Sequence, residues 1–334
     1  MKKIPWWMPV LLVLCQTAAA QEAAPPPPAP VAEKPAPAQA AAPRMLKLAL
    51  TPHENGRLLV AEIRADQATG RFIVDSGAAA ECLFAKAFAL RQGKQLTAAG
   101  EGRGIVGKSA LFTAAFDSVE IGEAIKLRKQ TVAVADLPPH LQLSLPGQKS
   151  LLPDGLLGAV FLERARAVVC YPESMLLIPP GDVAGDAFKK SRVAAGDFAL
   201  PLTQDDQSRP FIEVKLKGQS FLFLVDTAAG ANVLLPEIAT ELGLAVTETK
   251  NPVVGGGHGE LKPPGQVTAS DAVFGGILQF PTLPFLLIPD NSGIRVPKGS
   301  RYGGIIGAPL LKALRARLDF GSYRLLVPHP EKKP

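Results

Sequence analysis

Residues 223–235 read FLVDTAAGANVLL, an apolar run that delivers one carboxylate, Asp226, and then breaks into small residues. Residues 72–84 read FIVDSGAAAECLF and carry Asp75 at the same place, 151 residues earlier. Farther along the chain, GLLG at 155–158 matches GIIG at 304–307 with an offset of 149 residues. Blocks that recur in one order at a nearly constant offset predict two copies of one structural unit.

Short apolar stretches separated by glycine and proline clusters fill each copy. They are rich in Val, Ile, Leu and Phe, as in QTVAVADL and FIEVKL, which is typical of short strands. Two helices per copy are also predicted, and their ranges are 85–93, 159–167, 236–243 and 308–316. The predicted fold class is therefore all-β with a few short helices, internally duplicated.

The start of the chain has the features of an export signal. Lys2 and Lys3 precede an apolar stretch that is too short to anchor the chain in a membrane, and small residues follow up to Ala20. Residues 1–20 are therefore predicted to be a cleaved signal peptide, and the expected location is periplasmic or secreted, with no stable membrane insertion. Acylation of Cys15 is the alternative, although Leu14 stands where a lipoprotein signal has a small residue.

Composition divides the rest of the chain. Residues 21–44 are almost entirely Ala and Pro, which predicts an extended linker, and two lobes are predicted at 45–190 and 191–334. The net charge of +6 is spread along the chain without basic blocks, so no nucleic-acid partner is expected. Cys82 and Cys170 remain after cleavage, and the sequence leaves open whether they form a disulfide.

The two aspartate loops resemble those of the aspartic proteases, in particular the retropepsin-like branch found in bacteria. The resemblance is carried by VDSGA at 74–78 with GLLG, and by VDTAAG at 225–230 with GIIG, and it covers most of residues 45–334. Pepsin-like members carry both lobes in one chain. The resemblance therefore implies a two-lobed aspartic protease β-barrel fold and a monomer whose active site lies between the lobes.

The resemblance also implies a chemistry. Asp75 and Asp226 would form a catalytic dyad that activates a water to hydrolyse a peptide or protein substrate, with no cofactor and no metal. Two carboxylates held close together cannot both ionise, so one keeps a proton while the other stays charged. The residues expected to support the two loops are Ser76, Gly77, Ala78, Thr227, Ala228 and Ala229.

Two of these supports have hydroxyl groups, and two differ from pepsin-like relatives. The hydroxyls of Ser76 and Thr227 are expected to brace the opposite loop by hydrogen bonds. Ala78 and Ala229 stand where pepsin-like relatives often have a hydroxyl donor, so the pKa values of the pair are expected to be higher than in such relatives.

One residue departs from the family pattern and leaves other functions open. Ala228 stands where the family motif has glycine, which is also compatible with a pseudoprotease that binds peptides in the periplasm without cleaving them. A third hypothesis is a structural protein of the cell envelope that uses the Ala/Pro segment as a spacer.

Two glycine-rich stretches and four histidines are considered as signs of a nucleotide site or a metal site. The resemblance places GRGIVG at 102–107 and VVGGGHG at 253–259 in hairpins that cover the cleft, with an ordinary β-turn as the alternative. GRGIVG also fits the pattern of a dinucleotide site, but it lacks the strand and helix that such a site needs. The histidines show no metal-ligand spacing and are expected in solvated loops; they are His53, His140, His258 and His329.

Overall fold

The computed structural model describes residues 45–53, 57–104, 108–122, 125–137, 141, 143, 151–179, 197–249, 253–254, 260–261, 265–289 and 293–329. The predicted signal peptide and linker at 1–44 therefore lie outside the described residues, as does the predicted lobe boundary at 190–191.

The first copy of the repeat has two helices and eleven strands within the described residues. The helices are α1 (Lys86–Arg91) and α2 (Ala159–Arg164). The strands are β1 (Leu46–Ala49), β2 (Thr51–His53), β3 (Leu58–Ala65), β4 (Ala68–Asp75), β5 (Cys82–Ala85), β6 (Thr97–Arg103), β7 (Lys108–Ile121), β8 (Ile125–Ala135), β9 (Gly155–Gly158), β10 (Val168–Cys170) and β11 (Met175–Ile178).

The second copy repeats this series in its described part. The helices are α3 (Pro236–Glu241) and α4 (Ala308–Ala313). The strands are β12 (Phe198–Gln204), β13 (Pro210–Leu216), β14 (Gln219–Asp226), β15 (Val233–Leu234), β16 (Val253–Val254), β17 (Glu260–Leu261), β18 (Gln266–Phe274), β19 (Leu278–Leu287), β20 (Tyr302–Gly307), β21 (Arg317–Asp319) and β22 (Arg324–Val327).

All four predicted helices are present, each as a six-residue segment inside its predicted range. Pro236 lies in the first turn of α3, where its missing N–H costs no intrahelical hydrogen bond. Helices of six residues are not stable alone. Each of these four has two or three buried residues, and their packing against the sheets stabilises the helix.

Each copy closes into a six-stranded barrel. In the first copy β3 pairs with β4, and the series continues through β9, β5, β8 and β7 back to β3. In the second copy the equivalent closed series is β13, β14, β20, β15, β19 and β18. Parallel pairing occurs at the same places in both barrels. The predicted duplicated, all-β, two-lobed fold is confirmed.

Residue patterns explain why these segments form strands. In β13, buried Val214 and Leu216 alternate with exposed Glu213 and Lys215, which is the period of a strand with one face in a core. The two-residue turn that links β13 to β14 has positive φ at both positions, 47° at Lys217 and 83° at Gly218. Such turns match the right-handed twist of paired strands, so this hairpin is favoured locally.

Aromatic side chains fill the interior of the first barrel. Phe72 contacts Phe84 edge to face, with ring centroids 4.9 Å apart, and Phe84 also packs against Phe88 and Phe116. All four rings are buried. Burial of one such side chain contributes about 2 kcal/mol, so this cluster holds β4 firmly behind the end that carries Asp75.

A further sheet joins the two barrels, so that residues Pro43–Pro334 form one compact unit. The strand order of this joining sheet is β1, β11, β10, β21, β22 and β12, with every neighbouring pair antiparallel. β10 of the first copy pairs with β21 of the second at its centre, with Val169 opposite Leu318. The two copies are thus tied together by backbone hydrogen bonds close to their pseudo-two-fold axis.

The cysteines do not form a disulfide. Cys82 lies on β5 in the first barrel and Cys170 lies on β10 in the joining sheet, and both thiols are buried. Burial raises the pKa of the Cys82 thiol to about 12, which keeps it protonated. Within the described ranges no helix is both long and apolar enough to cross a membrane.

Candidate active site

β4 and β14 end at the two aspartates, and their parallel neighbours fix that end. Asp75 lies opposite Gly158 of β9, and Asp226 lies opposite Gly307 of β20. A Cβ at Gly158 would lie 2.2 Å from the carbonyl oxygen of Ala80, within the first aspartate loop. Glycine is therefore required in the GLLG element, because the loop backbone occupies the place of a side chain. Gly307 has the same role in the second copy, where a Cβ would lie 2.4 Å from the carbonyl oxygen of Ala231.

Backbone N–H groups of each loop donate hydrogen bonds to Oδ1 of the aspartate in the same loop. Gly77 and Ala78 donate to Oδ1 of Asp75 at 2.9 Å and 3.0 Å. Ala228 and Ala229 donate to Oδ1 of Asp226 at 2.8 Å and 3.1 Å. Both carboxyl groups are thereby oriented in the same way.

The two loops brace one another through their hydroxyl residues. The hydroxyl of Ser76 donates to the carbonyl of Val225 at 2.6 Å and accepts from the N–H of Thr227 at 2.9 Å. The hydroxyl of Thr227 donates to the carbonyl of Val74 at 2.6 Å and accepts from the N–H of Ser76 at 3.0 Å. Ser76 and Thr227 are fully buried, so these four bonds are shielded from water. The bracing that was expected of Ser76 and Thr227 is present.

The carboxyl groups of Asp75 and Asp226 lie close together, since a Cβ on Gly77, in the loop of Asp75, would be 2.5 Å from Oδ2 of Asp226. Burial raises the pKa of Asp75 well above its ordinary range, and the negative charge of Asp226 raises it further, although the N–H groups of Gly77 and Ala78 oppose both effects. Burial also raises the pKa of Asp226, against the N–H groups of its own loop. The pair therefore favours a state with one proton and one negative charge.

The raised pKa of Asp75 predicts that Asp75→Asn stabilises the protein at neutral pH. Below the ordinary aspartate pKa both the folded and the unfolded protein hold the proton, so folding carries no ionisation penalty. As pH rises, the unfolded chain ionises first, and stability falls until the pH passes the raised folded pKa. Asparagine removes this penalty, so we expect the Tm to rise by about 3 °C at pH 7 and hardly at all in acid.

Differential scanning calorimetry of wild type and Asp75→Asn at several pH values checks this expectation. Asp206→Asn, at an exposed carboxylate, is the control and should leave the Tm unchanged at every pH. An equal rise of the Tm in acid and at neutrality would show that ionisation of Asp75 is not its cause.

Ala228 and Gly77 occupy equivalent places on the two loops, and they make the site asymmetric. A Cβ at Gly77 would lie 2.5 Å from Oδ2 of Asp226, so the first loop has no room for a methyl group there. By the pseudo-two-fold symmetry, a methyl group at Ala228 is expected near Asp75. It packs beside Ala78 on an apolar cluster of the first barrel, comprising Leu58, Val60, Ile73, Leu143 and Leu156. The four bracing bonds form despite this methyl group.

Both expected hairpins are present in their described parts. β6 and β7 pair from Thr97 opposite Thr113 to Arg103 opposite Lys108, and β16 pairs with β17 in the second copy. Residues 105–107 and 255–259, which include most of the two glycine-rich stretches, lie outside the described residues, as do His140 and His258. The expectation that His53 lies in a solvated loop is wrong, because it ends β2, which pairs with β3, and its side chain is buried.

Tyr171 is a residue near the pair that the sequence pattern did not single out. It follows β10 and is buried, and its hydroxyl donates to the carbonyl of Thr227 at 3.5 Å. In the sequence, Tyr171 aligns with Phe320 of the second copy, and this alignment could have drawn attention to it. In the structure both residues follow the central strands of the joining sheet. A difference of one hydroxyl group between matched aromatic residues is easily overlooked.

Sequence comparison relates the second aspartate loop to a known family. Residues 212–310, which span the second aspartate loop, α3 and the GIIG strand, match the family model described as aspartyl protease. This part of the chain is similar to the aspartyl proteases. This relationship agrees with the resemblance seen in both aspartate loops.

The crystal structure of an aspartic proteinase from Irpex lacteus is similar, with 12% sequence identity, coverage of 86% of this chain and 98% of that chain, and a TM-score of 0.41. No match was found among curated proteins.

Proposed function

We propose that this protein is an endopeptidase whose catalytic groups are Asp75 and Asp226. One observation carries the proposal: two carboxyl groups lie close together at the ends of matched strands, on loops that brace each other. Such an arrangement costs stability because it buries two acids together. That cost is understandable if the pair acts on a substrate.

The proposed reaction uses the proton and the charge that the pair holds. A water molecule attacks the carbonyl carbon of the peptide bond while the charged aspartate takes one of its protons. The protonated aspartate gives its proton to the carbonyl oxygen, which forms a tetrahedral diol. The diol then collapses as the aspartate that gave its proton takes one back from a diol hydroxyl. The other aspartate gives its proton to the nitrogen, the C–N bond breaks and the amine leaves, so that the pair returns to its starting state.

Apolar surroundings on both sides of the pair support this chemistry. Ala78 and Ala228 pack on the first-barrel cluster, and Ala229 packs on a second-barrel cluster comprising Phe211, Leu222, Leu224, Val233, Ile288 and Ile305. Scarce water lowers the local dielectric response, which strengthens the interaction of the pair with charge that develops in the transition state. The expected higher pKa values relative to hydroxyl-bearing relatives stay a prediction.

We propose a peptide or protein as the substrate and a monomer as the working form, because one chain supplies both aspartate loops. The proposed location is the periplasm or the extracellular space, on the basis of the signal-like residues 1–20.

A diverse peptide library tests the proposed activity. Wild-type protein should cleave a subset of the peptides, a statine-type inhibitor should block the cleavage, and Asp75→Asn should leave the library intact. Correctly folded wild type that cleaves no peptide at any acidic or neutral pH would contradict the proposal.

A peptide-binding pseudoprotease is the second candidate, and Ala228 is the observation that favours it. The pseudo-two-fold symmetry leads us to expect its methyl group near Asp75, whose carboxyl group has to meet the water and the substrate. We therefore expect Ala228→Gly to raise kcat/KM for peptide hydrolysis by about tenfold, which corresponds to roughly 1.4 kcal/mol in the transition state. Initial rates on one cleaved library peptide measure this change.

Ala229→Gly is the matched control, because it removes a neighbouring methyl group that faces the second-barrel cluster. It should not raise the rate. Wild type that binds library peptides but stays inactive even as correctly folded Ala228→Gly would favour the pseudoprotease.

A further inference from the structure

Tyr171 connects the joining sheet to the second aspartate loop. The residue follows β10, its N–H donates to the carbonyl of Ala316 at 3.1 Å, and its side chain is 7% exposed. Its hydroxyl donates to the carbonyl of Thr227 at 3.5 Å. The ring is thus held between the two copies of the repeat, with its polar end directed at the loop of Asp226.

This contact continues through one peptide group to the carboxyl group of Asp226. The carbonyl of Thr227 and the N–H of Ala228 belong to the same peptide, and that N–H donates to Oδ1 of Asp226 at 2.8 Å. Hydrogen bonds in series polarise one another, so a donor on the carbonyl makes the N–H a better donor. The Tyr171 hydroxyl therefore stabilises negative charge on Asp226.

The first aspartate loop receives no such hydroxyl from the equivalent aromatic residue. Phe320 is the counterpart of Tyr171, since its N–H donates to the carbonyl of Ala167 at 2.9 Å across the same sheet. It is also buried, but a phenylalanine ring cannot donate a hydrogen bond to a carbonyl. The two loops, which match in their other N–H and hydroxyl bonds, differ at this point.

The charges around the pair agree with this asymmetry. In the described part of the chain, the titratable groups that bear on the pair are Asp75, Asp226 and the phenol of Tyr171. Burial, and next the charge of Asp226, raise the pKa of Tyr171, so the phenol remains a protonated donor. A protonated phenol that donates to the loop of Asp226 favours negative charge on that aspartate.

We propose that Tyr171 is a positioning residue that places the negative charge of the pair on Asp226 and leaves the proton on Asp75. In the reaction, and in so far as the proposed endopeptidase function holds, Asp226 is then the base that takes the water proton and Asp75 is the acid.

Carboxyl ¹³C NMR of aspartate-labelled protein tests this assignment without any turnover. Asp75→Asn and Asp226→Asn assign the two resonances, and the wild type is then titrated from acid to neutral pH. The lower macroscopic step is expected mainly at the Asp226 resonance. In Tyr171→Phe the lower pKa should rise by about 0.3, and part of that step should move to Asp75.

Tyr323→Phe is the matched control, because it removes a phenol beside Glu163 rather than beside the aspartate pair. It should leave both steps unchanged. A lower step at Asp75 in the wild type, or an unchanged titration in Tyr171→Phe, would overturn the proposal. If Tyr171→Phe does not fold, the wild-type titration alone decides. The expected titration in a protein that cleaves no peptide would refute the endopeptidase function and leave the charge assignment intact.

Discussion

Replacement of Asp226 by asparagine is expected to lower kcat/KM for peptide hydrolysis by about 10³-fold or more. The asparagine oxygen can still accept the N–H groups of Ala228 and Ala229, so the loop should keep its shape. It cannot take a proton from water at any working pH. Initial rates on the fastest-cleaved library peptide, for wild type and Asp226→Asn at equal concentration, measure the loss.

Asp319→Asn provides the matched control for this change. Asp319 is also a buried aspartate that accepts backbone N–H bonds, from Gly321 at 2.8 Å and Ser322 at 3.2 Å, but it lies on β21 of the joining sheet. Its replacement should leave the rate within about twofold of wild type. If Asp226→Asn retains more than a tenth of the wild-type rate, Asp226 is not the base.

Replacement of Thr227 by valine is expected to destabilise the protein by about 3 kcal/mol. Valine has nearly the shape of threonine but no hydroxyl, so the N–H of Ser76 and the carbonyl of Val74 would lose their partner in a fully buried place. An unpaired buried group costs its full desolvation energy, and this change creates two. Denaturant unfolding followed by circular dichroism measures the free energy of unfolding.

Thr227→Ser separates the hydroxyl from the methyl group. Serine performs the equivalent bracing at Ser76, so Thr227→Ser should keep all four bracing bonds and cost about 1 kcal/mol for the lost methyl group. Equal destabilisation by valine and by serine would show that the hydroxyl bonds do not hold the loops together.

The duplicated architecture and the aspartate loops could be predicted because they depend on local and repeated features. An apolar strand followed by Asp, a hydroxyl residue and small residues occurs twice, and each occurrence has its own Leu-Leu-Gly or Ile-Ile-Gly element at a matched distance. The duplicated set of short strands and the four helices follow from this pattern. The barrels and the bracing by Ser76 and Thr227 were expected from the resemblance to the aspartic proteases.

Features that depend on packing between distant parts of the chain could not be predicted. The bond from Tyr171 to Thr227 joins residues 56 positions apart, and it exists because β10 and β21 pair beneath the loops. Likewise, the spacing of Cys82 and Cys170 says nothing about their distance, and the structure assigns them to different sheets. The expectation for His53 was wrong because the burial of a three-residue strand depends on its neighbour in the sheet.

Ala228 lies between these two cases. Its departure from the family motif was visible in the sequence, and the tight space at the equivalent Gly77 justifies the concern about an added Cβ. Its packing partners on the first barrel were not visible, because they come from strands more than seventy residues away in the chain. The fold accepts the methyl group by placing it on apolar side chains.

A single-turnover reaction in ¹⁸O-labelled water tests the central claim most directly, namely that the Asp75 and Asp226 pair activates a water molecule that itself attacks the peptide bond. Enzyme in excess over one cleaved peptide is quenched after the first turnover, and the products and the protein are weighed by mass spectrometry. The predicted result is one ¹⁸O atom in the new carboxyl group of the peptide and none in the protein. A first-turnover product without label, with ¹⁸O in Asp75 or Asp226, would mean that a carboxylate attacks the peptide, and would contradict the claim.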